Sequence, residues 1–426
     1  MMSLVAVIFV LAYAAIALEH PLKINKSAVA LIAAGLMWTI YSFASPLGIH
    51  GVSEQLNEKL AETAAIVFFL ICAMTIVEVT DAHGGFDVIT SRIKAKKLST
   101  LLWIIALITF FLSAILDNMT TTIVMVALME RLLRERSQRI FFAGIIVIAA
   151  NAGGAWTPIG DVTTTMLWIG GQITTGNIMK GLLIPSLVNM LLPVAVTTFI
   201  LKGRVEAPDR RPEDAITGSA FEKNLMFFLG MGALVFVPVF KSLTHLPPYL
   251  GILLALGIVW LAGEILHRRK SDAAREHFSL TKALKRIDMA SVCFFIGILL
   301  AVATLSANGM LPALAKRLDA MIGNQSVIVV IIGLVSAVVD NIPLVAASMG
   351  MYPIHQFPAD SFLWEFLAYC AGTGGSILVI GSAAGVAAMG LEKIEFFWYA
   401  RKIAPLALLG YFGGVAAYIV QYALTH

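Results

Sequence analysis

The chain has 426 residues, of which 59% are hydrophobic and 13% charged, with 30 Lys and Arg against 26 Asp and Glu and a mean hydropathy of +0.88. This composition excludes a soluble domain built around a single core and marks an all-α polytopic membrane protein, so the formal net charge of +4 reports how the loops are distributed across a bilayer rather than a nucleic-acid partner. Cys72, Cys293 and Cys370 lie in apolar stretches without paired spacing, which excludes a disulfide framework and a thiolate metal centre.

Crossing a bilayer takes roughly 20 apolar residues. Runs of about that length predict ten spans, at about 2–18, 28–45, 61–80, 140–170, 179–201, 221–240, 248–266, 289–306, 363–391 and 396–422. The first has no basic leader region and runs into Glu19-His20-Pro21 instead of a small-residue cleavage site, so it reads as a span rather than a signal peptide. Two more apolar segments, about 99–129 and 326–351, are too long for one ordinary span and too short for two.

Basic residues gather on the cytoplasmic side of membrane proteins. Arg92, Lys94, Lys96 and Lys97 flank one end of the segment 99–129, and Arg131, Arg134, Arg136 and Arg139 flank the other, so both ends are expected to be cytoplasmic. The flanks of 326–351 carry no Lys or Arg, so both its ends are expected outside. Each segment is therefore predicted to be a re-entrant hairpin, and the two enter from opposite faces. On this map only Lys59, Lys180, Lys241, Lys316 and Arg317 of the 30 basic residues lie outside, and both termini are external. The segments 82–98 and 307–325 read as amphipathic interfacial connectors.

Each hairpin carries the same hexapeptide at its tip: Ser113-Ala-Ile-Leu-Asp117-Asn118 returns as Ser336-Ala-Val-Val-Asp340-Asn341. An Asp within a membrane costs about 2.5 to 3.5 kcal/mol on insertion scales, so its recurrence in register argues for one site made from two halves. An offset within a few residues of theirs aligns Asn151-Ala-Gly-Gly154 with Gly372-Thr-Gly-Gly375 and Ile159-Gly160 with Ile380-Gly381. The chain thus divides into repeats at 1–204 and 221–426, joined by a cytoplasmic linker at 205–220. Five spans per repeat, an odd number, predict that the second copy is inverted, with a midplane site between discontinuous helices.

The first such helix is interrupted by Asn151-Ala-Gly-Gly-Ala-Trp-Thr-Pro-Ile-Gly-Asp161. Pro158 cannot donate to the helical ladder and the glycines weaken it, so backbone carbonyls are freed for water or a cation. Its counterpart, 372–382, is Gly-rich but has neither Pro nor carboxylate, with Ser382 where Asp161 would be; there close helix packing is a competing explanation of the glycines. Thr120–Thr122 and Thr163–Thr165 follow the two first-half motifs, and such hydroxyls either ligate a cation or bond their own backbone. Carboxylates, amides, hydroxyls and carbonyls make an all-oxygen site suited to a hard cation. Protons and cation would compete for the same carboxylates, which suffices for exchange. Glu78 and Asp81, followed by His83, are a candidate proton path or pH sensor; Glu264 is expected to pair with His267-Arg268-Arg269, and Glu365 to mark the external end of its span.

With hairpin and broken helix combined, the chain resembles the ion transporter superfamily and, within it, the NhaD-type sodium/proton antiporters. The residues that carry the resemblance are Leu116-Asp-Asn-Met-Thr-Thr-Thr122, Asn151 to Thr165 and Val339-Asp-Asn-Ile-Pro343, and it extends over essentially the whole chain. It implies exchange of Na+, and often Li+, for H+ in a bacterial inner membrane or an organellar equivalent. It further implies no cofactor and a homodimer in which a domain of hairpins and broken helices slides past a scaffold. Carried over residue by residue, it implies a cation and proton site of Asp117, Asn118, Asn151, Thr157, Asp161, Asp340 and Asn341. Two alternatives stand beside this reading. Anion carriers for dicarboxylate, citrate or arsenite share the architecture but present neutral hairpin tips, where Asp117 and Asp340 would repel the anion. An intramembrane aspartyl protease has a Gly-x-Gly-Asp signature, where this chain has Pro158-Ile-Gly-Asp161.

Overall fold

The computed structural model describes residues 2–90, 93, 95–201, 203–205, 219–268 and 278–425. The linker residues 206–218, and with them Arg210 and Arg211, lie outside the described residues, as do Arg92, Lys94, Lys202, Arg269, Lys270 and Arg275. Helices α1 to α10 cover Met2–Ala17, Glu19–Leu22, Lys26–Ala44, Gly48–Ala82, Asp87–Thr90, Leu98–Ser113, Asn118–Leu132, Arg136–Ala155, Val162–Ile169 and Thr175–Ile200. Helices α11 to α21 cover Ala220–Thr244, Pro248–His267, Leu280–Leu284, Met289–Ala307, Met310–Ile322, Gln325–Val335, Asn341–Met351, Phe362–Gly374, Ala383–Glu392, Phe396–Lys402 and Ala404–Thr425. The protein is an all-α polytopic membrane protein; among the described residues the extended pairing is limited to one isolated bridge, Lys97 to Arg204.

Both apolar runs expected to form hairpins are interrupted where they meet their Asp. The first is α6 and α7, the second α16 and α17, and in each the Asp is the N-cap of the returning helix: Asp117 accepts from the Thr120 amide and Asp340 from the Ile342 amide. A carboxylate placed there satisfies donors that the helix start leaves open and complements its dipole. Two helices are broken as the glycines and Pro158 predict. Helix α8 ends at Ala155 and α9 starts after Asp161, and α18 ends at Gly374 before α19 starts after Ser382.

The halves repeat their contacts as well as their sequence. Ser113 Oγ donates to the Ala150 carbonyl at 2.6 Å, and Ser336 Oγ to the Ala371 carbonyl at 2.9 Å. In both halves a glycine of the broken helix abuts the backbone of the hairpin's first arm, Gly153 against Phe110 and Gly374 against Gly333. Each hairpin is thereby laid on its broken helix, backbone against backbone. The broken helices form the centre: 78% of the apolar stretch of α8 is buried, against 22% for α12, which turns most of its surface outward.

The run 396–422 contains α20 and α21, and helical hydrogen bonds continue through the residue between them, Ile403 N to Tyr399 O at 2.8 Å and Ala407 N to Ile403 O at 2.9 Å. Among its described residues the connector 82–98 contains the single turn α5, and it is tied to the end of the first half, Leu98 N to Gly203 O at 3.2 Å and Val205 N to Lys96 O at 3.0 Å. The connector 307–325, by contrast, does form a helix, α15, set at 115° to α16. The reversal between them is made at Gly323 with φ +68°, a conformation glycine adopts without steric cost.

Candidate functional site

Four polar side chains from four different elements meet at the helix breaks. Asn118, first residue of α7, donates through Nδ2 to Asn151 Oδ1 at 2.9 Å and to Asp161 Oδ2 at 2.6 Å. Asn151, in the last turns of α8, donates through Nδ2 to Ser382 Oγ at 3.0 Å, which joins the two halves. The other carboxylate oxygen of Asp161 accepts from the amide and the hydroxyl of Thr163, both at 2.8 Å. Asp161 is 2% exposed and Asn151 fully buried. Burying a carboxylate is costly unless it is hydrogen-bonded; here three donors and the start of α9 offset that cost.

Of these, Asn118 and Asp161 line a cavity of about 160 Å³ that is also walled by Asp117 and Asn341 and by Glu78, Asp81, Arg286 and Asp288. Asp117 stands at its wall, with Oδ1 accepting from Thr120 N at 2.8 Å and Oδ2 from Thr120 Oγ1 at 2.6 Å. Asn341 also faces this cavity, 3% exposed, and its Nδ2 has no hydrogen-bond partner among the described residues. An amide rotated by half a turn would present its oxygen there instead. Thr157 is not part of the network: its hydroxyl donates to the Ala114 carbonyl at 2.7 Å and fastens the break to the hairpin.

Asp340 lies elsewhere. It borders a second, smaller cavity of about 40 Å³ with Tyr13, Glu19 and Lys26, and its Oδ2 is 3.2 Å from Lys26 Nζ. The second hairpin tip therefore straddles two cavities, Asn341 facing the first and Asp340 the second. Among the described residues no three His, Cys, Asp or Glu side chains converge on one point, so Asp117, Asp161 and Asp340 are not a compact three-carboxylate centre. Oxygen donors with few nitrogens and no sulfur are the ligand chemistry of hard cations.

Removing Asn118 should be costly even without reference to transport. Asn118→Ala leaves Asn151 Oδ1 and Asp161 Oδ2 without their shared donor, and an unsatisfied buried polar group costs about 1–3 kcal/mol. A lowered midpoint in thermal unfolding of the purified protein is the expected outcome.

A family model described as "Citrate transporter" matches residues 13–372. Sodium/proton antiporter 1 of Arabidopsis thaliana is 50% identical over 421 residues, covering 98% of this chain and 72% of that protein. The Na(+)/H(+) antiporter NhaD of Alkalimonas amylolytica is 32% identical over 440 residues, covering 97% and 89%. The chain belongs to the NhaD-type sodium/proton antiporter family. It is accordingly a multi-pass membrane transporter and not an enzyme, which removes the protease reading. The crystal structure of the YdaH transporter of Alcanivorax borkumensis matches with a TM-score of 0.61 at 12% identity, covering 94% of this chain and 97% of that one, a likeness of fold.

Other residues singled out in this NhaD-type sequence fall in several places. The second threonine cluster closes on the break: Thr164 Oγ1 donates to the Asp161 carbonyl and Thr165 Oγ1 to that of Pro158, at 2.9 and 3.0 Å. Thr121 and Thr122 are fully buried, and their hydroxyls have no partner among the described residues. Glu78 and Asp81 line the cavity, whereas His83 does not. His83 Nδ1 lies 2.6 Å from the Val79 carbonyl and must donate to it, so its Nε2 accepts from His267 Nε2 at 2.8 Å. Among the described residues Glu264 makes no ion pair with His267 or Arg268, because His267 turns inward to His83. Glu365 does not mark an aqueous helix end; it is 8% exposed and accepts from the Tyr418 hydroxyl at 3.0 Å.

Two contributors escape a reading of the sequence. Ser382 is visible there only as the neutral mate of Asp161, and its role as the bridge to Asn151 follows from the crossing of the breaks. Lys26 counts there among the positive residues of a loop. Its partner is 314 positions away, and no local pattern announces it.

Proposed function

We propose that this protein exchanges Na+, or Li+, for H+ across a bacterial inner membrane or an organellar equivalent. The observation that carries the reading is the buried Asp161 with Asn118 at the wall of a cavity shared with Asp117 and Asn341. A carboxylate withdrawn from water takes a proton or a cation, so arrival of one expels the other. Asp117, Asn118, Asn151, Asp161 and Asn341 are assigned to this competition, with Thr157 holding the break and Asp340 setting the charge behind the second tip. Glu78 and Asp81, which also line the cavity, would relay protons to the cytoplasm. Both termini are assigned to the external face, from the distribution of Lys and Arg. The two hairpins and two broken helices are assigned as a domain, made from inverted repeats 1–204 and 221–426, that moves against the remaining spans in a homodimer.

The matched family model is described by citrate, which keeps an anion carrier as the second reading. The charge of the cavity opposes it: Asp117, Asp161, Glu78, Asp81 and Asp288 outweigh Arg286 among its lining side chains. A pH-gradient dye assay in everted vesicles separates the two. Addition of Na+ or Li+ at mildly alkaline pH is expected to collapse the gradient, with K+ and citrate as comparison arms; a response to citrate alone would reverse the assignment. Asp117→Asn is expected to lower exchange at least about tenfold, since it removes one of the cavity's carboxylates.

A further inference from the structure

We propose that Lys26 is a tethered cation that occupies Asp340 in the cation-free protein and thereby sets how tightly the neighbouring carboxylates hold the transported ion. The inference rests on the exchange reading above and adds a residue that determines affinity.

The position of Lys26 is built, not incidental. It is the first residue of α3; Asn25 caps that helix by accepting from Ser27 N at 2.8 Å. The Lys26 amide donates to Glu19 Oε1 at 3.1 Å, and Nζ stands 4.5 Å from the centre of the Phe294 ring. Backbone, stem and head are therefore each held. A cation at a helix start opposes the helix dipole, and this one is only 21% exposed against a carboxylate that is 12% exposed. Such a placement persists only with a compensating anion, and Asp340 supplies it at 3.2 Å.

The two tips are thus chemically unlike despite their identical Asp-Asn. Asp117 is held by the amide and hydroxyl of Thr120 alone, among the described residues. Both oxygens of Asp340 are committed, one to the Ile342 amide and one to Lys26. Asn341, the very next residue, faces the cavity of Asp117 and Asp161. A net charge at Asp340 therefore acts on that cavity across a short, weakly screened distance. With Lys26 engaged the pair is neutral to the site; without it the site gains a full negative charge.

The test is cation binding by the purified full-length protein, read as the NaCl concentration giving half-maximal thermal stabilisation at mildly alkaline pH against choline chloride, which needs no transport. Lys26→Met is expected to lower that concentration at least threefold, and Lys26→Arg to leave it within twofold. Asp340→Asn alone is expected to raise that concentration by leaving the ammonium unpaired, and Lys26→Met in the Asp340→Asn background to return it to within about twofold of the wild type, because the place of the pair is then neutral again. Equal half-points for the wild type and Lys26→Met, or a double variant as tight as Lys26→Met alone, would overturn the inference while leaving the exchange reading intact. A wild type that exchanges no cation and is stabilised by none overturns both.

Discussion

Asp161→Asn is expected to abolish cation-driven proton movement in everted vesicles while leaving the protein in the membrane. The substitution is nearly isosteric, so packing survives, but the change in hydrogen bonding is severe. Asp161 accepts from Asn118 Nδ2, Thr163 N and Thr163 Oγ1. An amide offers one oxygen for these donors and turns its NH2 toward at least one of them. The negative charge is also lost from the most buried of the site's carboxylates. Hydrogen bonds to a charged group are typically worth about 1.5–3 kcal/mol; a loss of about 3 kcal/mol is roughly a hundredfold in affinity. Retention of more than a tenth of wild-type exchange by Asp161→Asn would move the site away from the break.

Gly153→Ala is expected to prevent accumulation of folded protein. A Cβ at Gly153 would lie on the Phe110 carbonyl, a backbone atom that cannot swing aside as a side chain would, and Gly374 meets the same obstacle at Gly333. Over-packing a buried contact costs about 1–3 kcal/mol and more when backbone must shift. Such a cost consumes much of the roughly 5–15 kcal/mol typical of a folded protein. Gly257, in the interior of α12, has nothing within 4 Å of the place its methyl group would take, so Gly257→Ala is the matched control and should hold or gain about 0.5–1 kcal/mol from the better helix former. Size-exclusion profiles of detergent extracts decide the matter: a monodisperse Gly153→Ala peak at the wild-type level would show that hairpin and broken helix are not in backbone contact.

The legible and illegible parts of this protein divide along physical lines. The spans are legible because apolar length is a local property, and the two breaks because Gly and Pro disable helical hydrogen bonds wherever they sit. The interruptions at Asp117 and Asp340 are legible because an Asp-Asn within an apolar run is costly in a straight lipid-facing helix and natural as an N-cap. Asn118, Asn151 and Asp161 are legible as neighbours of the breaks, though their mutual bonds are not. Composition alone does not say where short segments such as 82–98 and 396–402 turn to meet their neighbours.

What the sequence determines by itself is therefore the inventory: the apolar spans, two hairpins, two breaks and the polar residues stationed at them. Only the tertiary structure decides the partnerships, with Asn118 on Asn151 and Asp161, Asn151 on Ser382, and Lys26 on Asp340 across 314 positions. The reason is that propensity and hydropathy act over a turn or a span. A hydrogen bond between distant side chains depends on the angle at which two helices cross and on the rotamers left open by packing. Two tips with the same Asp-Asn thus acquire different surroundings, one bordering a polar cavity and the other closed by an ammonium.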